Sequence, residues 1–266
     1  MKQINQFIDE KLNLNKDSKI RHIYRPENIS ELRQILEKLI SERGHDADLN
    51  DIDTSKLTSM YYVHPDGAKG LFKGLDPHNI KINKWDVSKV TDMGMMFSKC
   101  ENFNVDLSEW NVENVERMST MFYKCASFTG KGLNKWKTLS LKKANYMFAR
   151  CENFTGKTIE RMDVSGVKEM RYMFKECKNL NCNLSRWKTG ECEDMEAMFK
   201  ECENFEGTGL NKWDVRNVDW LDEMFFGCTN FNCDLNSWDL SVKHPTITGM
   251  FEGCTSLKRR PKWCDN

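Results

Sequence analysis

Apolar residues recur along most of this chain in one fixed template. Met-Phe pairs stand at Met96-Phe97, Met121-Phe122, Met147-Phe148, Met173-Phe174, Met198-Phe199, Met224-Phe225 and Met250-Phe251, 25 or 26 residues apart. A cysteine follows each phenylalanine by three places (Cys100, Cys125, Cys151, Cys177, Cys202, Cys228, Cys254), and an apolar residue follows by six (Phe103, Phe128, Phe154, Leu180, Phe205, Phe231, Leu257). Trp85, Trp110, Trp136, Trp187, Trp213, Trp238 and Trp263 close the units, with Met162 in the remaining slot. A fixed period of this length predicts a solenoid, in which each unit buries its apolar face only against its neighbours.

Within a unit the template carries two periods. Val90, Met93, Met96, Phe97, Cys100 and Phe103 lie at offsets 0, 3, 6, 7, 10 and 13, which predicts a helical or tight helical-turn face. In Leu107-x-x-Trp110-x-Val112 the alternation of Trp110 and Val112 predicts a short strand. The expected fold class is an α/β repeat solenoid. A parallel sheet forms one side, short helices or helical turns form the other, and an N-terminal helical cap closes the end.

The expected division is a capping region over 1–48 and a solenoid of about eight units over 49–266. Leu49, Ile52, Thr54, Leu57 and Met60 reproduce the spacing of Leu107, Trp110, Val112, Val115 and Met118, so the array begins there. This first unit is long, with a loop predicted from His64 to Gly70. In the capping region, Ile4, Phe7, Ile8 and Leu12 predict a short helix over 2–12, and Lys19 to Tyr24 an extended piece. Asn28 is the expected N-cap of a second helix, with Glu31 at capping-box spacing, an apolar stripe of Leu32, Ile35, Leu36, Leu39 and Ile40, and a stop at Gly44.

Forty basic residues balance forty acidic ones, so no global field draws the chain to nucleic acid or a membrane surface. The first residues lack the apolar run of a secretory signal, which predicts a cytoplasmic protein. Seven of the eleven cysteines fall in the repeated apolar slot and read as small, reduced, buried hydrophobes; Cys192 replaces an apolar Val and reads the same way. Cys177 and Cys182, like Cys228 and Cys233, are five apart, but neither pair has a second Cys or His pair at finger-like spacing, and no metal is expected.

The spacing L-x-x-W-x-V-x-x-V-x-x-M-x-x-M-F-x-x-C-x-x-F resembles the leucine-rich-repeat variant of the BspA-like proteins, the bacterial surface-protein repeat of about 25 residues also called DUF285. WDVSKVTDM, WNVENVERM, MDVSGVKEM and WDVRNVDWL all carry it in register with MFxxC, over residues 49–264. The segment ELRQILEKLISERGHDADLNDID resembles the module preceding these repeats in some members. The resemblance implies a surface or secreted protein that binds other macromolecules.

If Trp110 and Val112 point inward, their neighbours point out from the sheet, on the concave side of the arc. The row before the tryptophan slot contains Lys84, Glu109, Lys135, Arg161, Arg186 and Lys212; the row after it contains Asp86, Asn111, Lys137, Asp163, Lys188 and Asp214. Pairs two apart, Lys84 with Asp86, Arg161 with Asp163 and Lys212 with Asp214, are expected to neutralise each other, leaving Lys135, Lys137, Arg186 and Lys188 as the basic part. These residues form the candidate partner-binding face, for another protein bearing an acidic patch. Trp220, in WDVRNVDWL, is expected to pack. The five histidines, at positions 22, 45, 64, 78 and 244, fall in no repeated slot that gathers them, and no phosphate loop or nucleophile elbow appears, so neither catalysis nor a cofactor is expected. The expected protein is a monomeric, non-enzymatic interaction module, an inhibitor or effector among its variants. The alternative is a BspA-like adhesin whose export signal is absent from this chain.

Overall fold

The computed structural model describes residues 22–65, 67 and 70–265; the helix expected over 2–12 lies outside them. Of the extended piece from Lys19 to Tyr24, Tyr24 pairs with Ile52 in an isolated parallel bridge. Helix α1 (Ile29–Arg43) starts where its sequence signals place it. The Asn28 side chain accepts from Glu31 N at 3.0 Å, which satisfies one orphan donor of the first turn, and the Glu31 carboxylate accepts from Glu27 N, just before the cap, at 2.8 Å. Gly44, at φ 84, ends the helix and donates to Ile40 O. Leu32, Leu36 and Leu39 are fully buried in the main core, and Arg33 donates its Nη1 to Leu71 O at 2.6 Å.

Downstream, the expected solenoid with a parallel sheet and a facing ladder of helices is not what the chain builds. Among the described residues α1 is the one α-helix, the other helical pieces are 3-10 turns of three or four residues, and pairing is confined to isolated bridges, too little for either layer; most of these residues lie in turns and loops. Among the described residues, successive units pair through single parallel bridges, Ser59↔Asp92, Asp92↔Arg117, Arg117↔Lys143, Lys143↔Glu169, Glu169↔Asp194, Asp194↔Trp220 and Trp220↔Thr246.

The physical reason lies in the backbone of the half read as helical. Met95 and Lys99 are left-handed, at φ 60 and φ 65, and the same two slots are left-handed in Thr120 and Lys124, Tyr146 and Arg150, Tyr172 and Glu176, and Ala197 and Glu201. A left-handed residue at every fourth position stops any α-helix. The chain instead makes consecutive tight turns: Met96 N donates to Met93 O, Ser98 N to Met95 O and Cys100 N to Phe97 O. Apolar spacing of three, which a helix shares only approximately, is the mark of these turns. Between them, Met93, Met95, Phe97 and Lys99 turn their N–H groups to the next unit and donate to the carbonyls of Arg117, Ser119, Met121 and Tyr123 at 2.7–3.0 Å. The half read as strand is also turn, with Trp110 N bonded to Leu107 O and Val115 N to Val112 O.

Side chains complete the joints. The indole N–H of Trp110 donates to Ile82 O of the preceding unit at 2.9 Å, that of Trp187 to Ile159 O at 2.9 Å and that of Trp213 to Leu184 O at 3.0 Å. The cysteine slot does likewise: Sγ of Cys125 donates to Phe97 O at 3.0 Å, Cys177 to Phe148 O at 2.9 Å and Cys228 to Phe199 O at 2.9 Å. These thiols are thus donors to a buried carbonyl as well as small hydrophobes. Rings stack between units, Phe148 on Phe174 at 5.7 Å and Trp187 on Trp213 at 6.0 Å, each within 3° of parallel. Three units of 26 residues absorb the extra residue in a 3-10 turn, Leu133–Lys135, Lys157–Ile159 or Leu210–Lys212, entered at left-handed Gly132, Gly156 or Gly209. A Cβ at Gly209 would stand 2.4 Å from Ser185 N, so glycine is required there on two counts.

Candidate interaction face

The residues flanking the tryptophan slot do alternate with the core. Lys84 and Asp86 are exposed around buried Trp85, and Glu109 and Asn111 around buried Trp110. Lys135 and Lys137, Arg186 and Lys188, and Arg161 and Lys212 are exposed as well, while Asp163 and Asp214 are half-buried. They line a turn edge rather than the concave face of a sheet, because no sheet forms there and the segment bonds back on itself. Exposure survives that correction because it comes from burial of Trp and Val, which turns achieve as well as a strand does.

Charge pairing differs from the expected pattern. Lys84 Nζ reaches Glu109 of the next unit at 2.5 Å and not Asp86; this bond and one from Asn83 hold the Glu109 carboxyl below its ordinary value. Asp214 is taken by Arg216, through Nε at 2.9 Å and Nη2 at 2.7 Å, and these bonds lower its pKa. Asp163 accepts from Ser165, and that bonding, with a lesser contribution from the field of Lys188, lowers its carboxyl. Lys137 pairs with Glu113 at 3.0 Å. Lys135, Arg161, Arg186 and Lys212, one from each of four successive units, form no salt bridge among the described residues, nor does Lys188. The 6.0 Å separation of Trp187 and Trp213 sets the spacing of this column where Arg186 and Lys212 flank them.

Several groups at or near the surface were not legible in the residues. Trp220, expected to pack, is 49% exposed, because it occupies the bridge position where every other unit carries a polar residue. Tyr146 and Tyr172 stack at 4.6 Å with Arg171 over Tyr172, a contact between slots whose neighbourhood appears only once units are superposed. His45 and His78, expected to be scattered, stack at 5.0 Å beside Asp76. Their signal was His78 itself, which stands six places after Phe72, in the slot where later units place an apolar residue. Among the described residues no helix is long and apolar enough to cross a membrane.

A family model described as "Mycoplasma protein of unknown function, DUF285" matches residues 30–158 and again 145–263. No curated protein and no solved structure matches the chain.

Proposed function

The chain belongs to the DUF285 family, Mycoplasma proteins of unknown function, and from that premise we propose that it is a non-enzymatic module that binds an acidic surface of another protein through Lys135, Arg161, Arg186, Lys188 and Lys212. One observation carries this reading. These five cations stand exposed on one edge of four successive units without a salt bridge among the described residues, whereas many cations on the bridge-bearing side are paired, as in Lys143 with Glu169 at 2.6 Å, Arg150 with Glu176 at 2.8 Å and Lys200 with Glu223 at 2.6 Å. Like charges held in register repel, and an acidic partner relieves that repulsion while gaining electrostatic steering. A stack of turns fixes the spacing of the column, so little order must be gained on binding. A cytoplasmic setting, in which the thiols stay reduced, belongs to the same reading.

The test is affinity purification from the native host with wild-type chain and a variant carrying Lys135→Glu, Arg161→Glu and Arg186→Glu. The variant should keep its melting temperature and lose the partner, and the wild-type complex should weaken with salt. A partner retained by the reversed variant at equal yield removes this face from the interaction.

A further inference from the structure

We propose that His45, Asp76 and His78 form a binding site for a divalent transition-metal ion of zinc-like preference. One nitrogen from each imidazole and one carboxylate oxygen lie within 4.8 Å of one another. His78 Nε2 and Asp76 Oδ2 are 3.1 Å apart, close to the separation of about 3.4 Å that two ligands have on a tetrahedral ion with bonds of about 2.1 Å. The set is borderline-soft nitrogen plus one carboxylate, which suits zinc rather than calcium or magnesium, and it leaves an outer position to water or a partner's side chain.

The ligands are held before any ion arrives. His45 follows α1 by two residues, and its Nδ1 lies 2.9 Å from Asp76 O and 3.1 Å from Leu75 O. Carbonyls only accept, so Nδ1 carries the proton there, and Nε2 of the neutral ring keeps its lone pair; this is the outer-shell bond that orients metal-binding imidazoles. The two loops are tied by His78 N to His45 O at 2.9 Å and Lys81 N to Ala47 O at 2.9 Å. Asn102 of the next unit donates to both oxygens of Asp76, at 3.2 and 3.3 Å, which fixes the carboxylate. Asp76 itself is left-handed, at φ 44, a conformation few non-glycine residues hold without cause. The ion joins α1's exit loop to the first unit, so binding stabilises that junction.

The full chain, prepared reduced and without a polyhistidine tag, should be titrated with zinc chloride in a calorimeter and with cobalt(II) in a spectrophotometer. The expected result is one equivalent bound, a raised melting temperature, and cobalt bands of nitrogen and oxygen ligation. His78→Ala and Asp76→Asn should each weaken zinc at least about tenfold. Asn tolerates left-handed backbone, so the second variant keeps the fold and its circular dichroism. No zinc heat up to about 1 mM, unchanged affinity in both variants, or thiolate charge-transfer bands with cobalt would each overturn the proposal.

Discussion

The two edges of the repeated unit are held by different means. On the bridge edge, main-chain donors join unit to unit at every second residue, as Met93, Met95, Phe97 and Lys99 do, and several of the charges beside them are paired, as Lys143 is with Glu169. On the tryptophan edge main-chain bonds between units are few, as at Leu107 N to Lys131 O and Leu184 N to Thr208 O, and Trp110 N and Val115 N bond within their own unit. The other joints there are an indole N–H or the hydroxyl of Thr138 or Thr189, which donates to the next unit's Asp163 or Asp214 carbonyl. Backbone joints are indifferent to side-chain identity. Side-chain joints are not, which accounts for invariance of the template at one edge and freedom to leave cations unpaired in the positions beside it.

Alkali should attack both edges with the largest effect. Burial pushes the Cys177 thiol up to about 12, and Cys182 and Cys192 likewise, so they stay protonated in the fold. A folded value above the unfolded one means the stabilisation is whole below the unfolded thiol's value of about 8.5 and is lost as pH rises from there towards 12. Each thiol removes about 1.4 kcal/mol per pH unit in that window. Melting temperatures at several pH values should fall steeply above pH of about 9; a flat profile would show the thiols are not buried as described.

Phe174→Ala removes a ring common to both edges and should cost about 3–5 kcal/mol in urea unfolding. The edges should then separate. Trp213→Phe strips a donor from the buried Leu184 carbonyl and should cost about 1–3 kcal/mol, while Tyr172→Phe, which removes a hydroxyl bonded to Glu196 at 2.5 Å on the bridge edge, should cost about 1 kcal/mol or less. Equal losses would erase the proposed distinction. Smallest of all, Lys143→Glu opposite Glu169 should destabilise by about 0.2–1 kcal/mol at low salt, whereas Lys135→Glu should be neutral or stabilising.

The repeat, its core and helix α1 were legible in the residues, since burial of Met, Phe, Cys and Trp depends on spacing and the capping chemistry of Asn28, Glu31 and Gly44 is local. The secondary structure of the units was not. Offsets such as Val90, Met93 and Met96 satisfy a helix and a train of turns alike, and the deciding fact, left-handed backbone at Met95 and Tyr146, is unusual for those residue types. The charged rows were found, but their pairing was not, because Lys84 chooses Glu109 across units over Asp86 within its own.

The bridge edge also gives the molecule an electric axis. Arg117 O, Ser119 O, Met121 O and Tyr123 O face the preceding unit, while the very next N–H groups, of Met118, Thr120, Phe122 and Lys124, face the following one. Those four peptide dipoles point the same way, and the same arrangement repeats in the units after it. In a pleated sheet neighbouring dipoles largely cancel; here they add as in a helix, but with the positive pole towards the C-terminal end. The N–H groups of Ile247, Gly249, Phe251 and Gly253, which have no acceptor among the described residues, make up that pole. A chain with no formal net charge thus still carries an aligned backbone dipole along its stack of units.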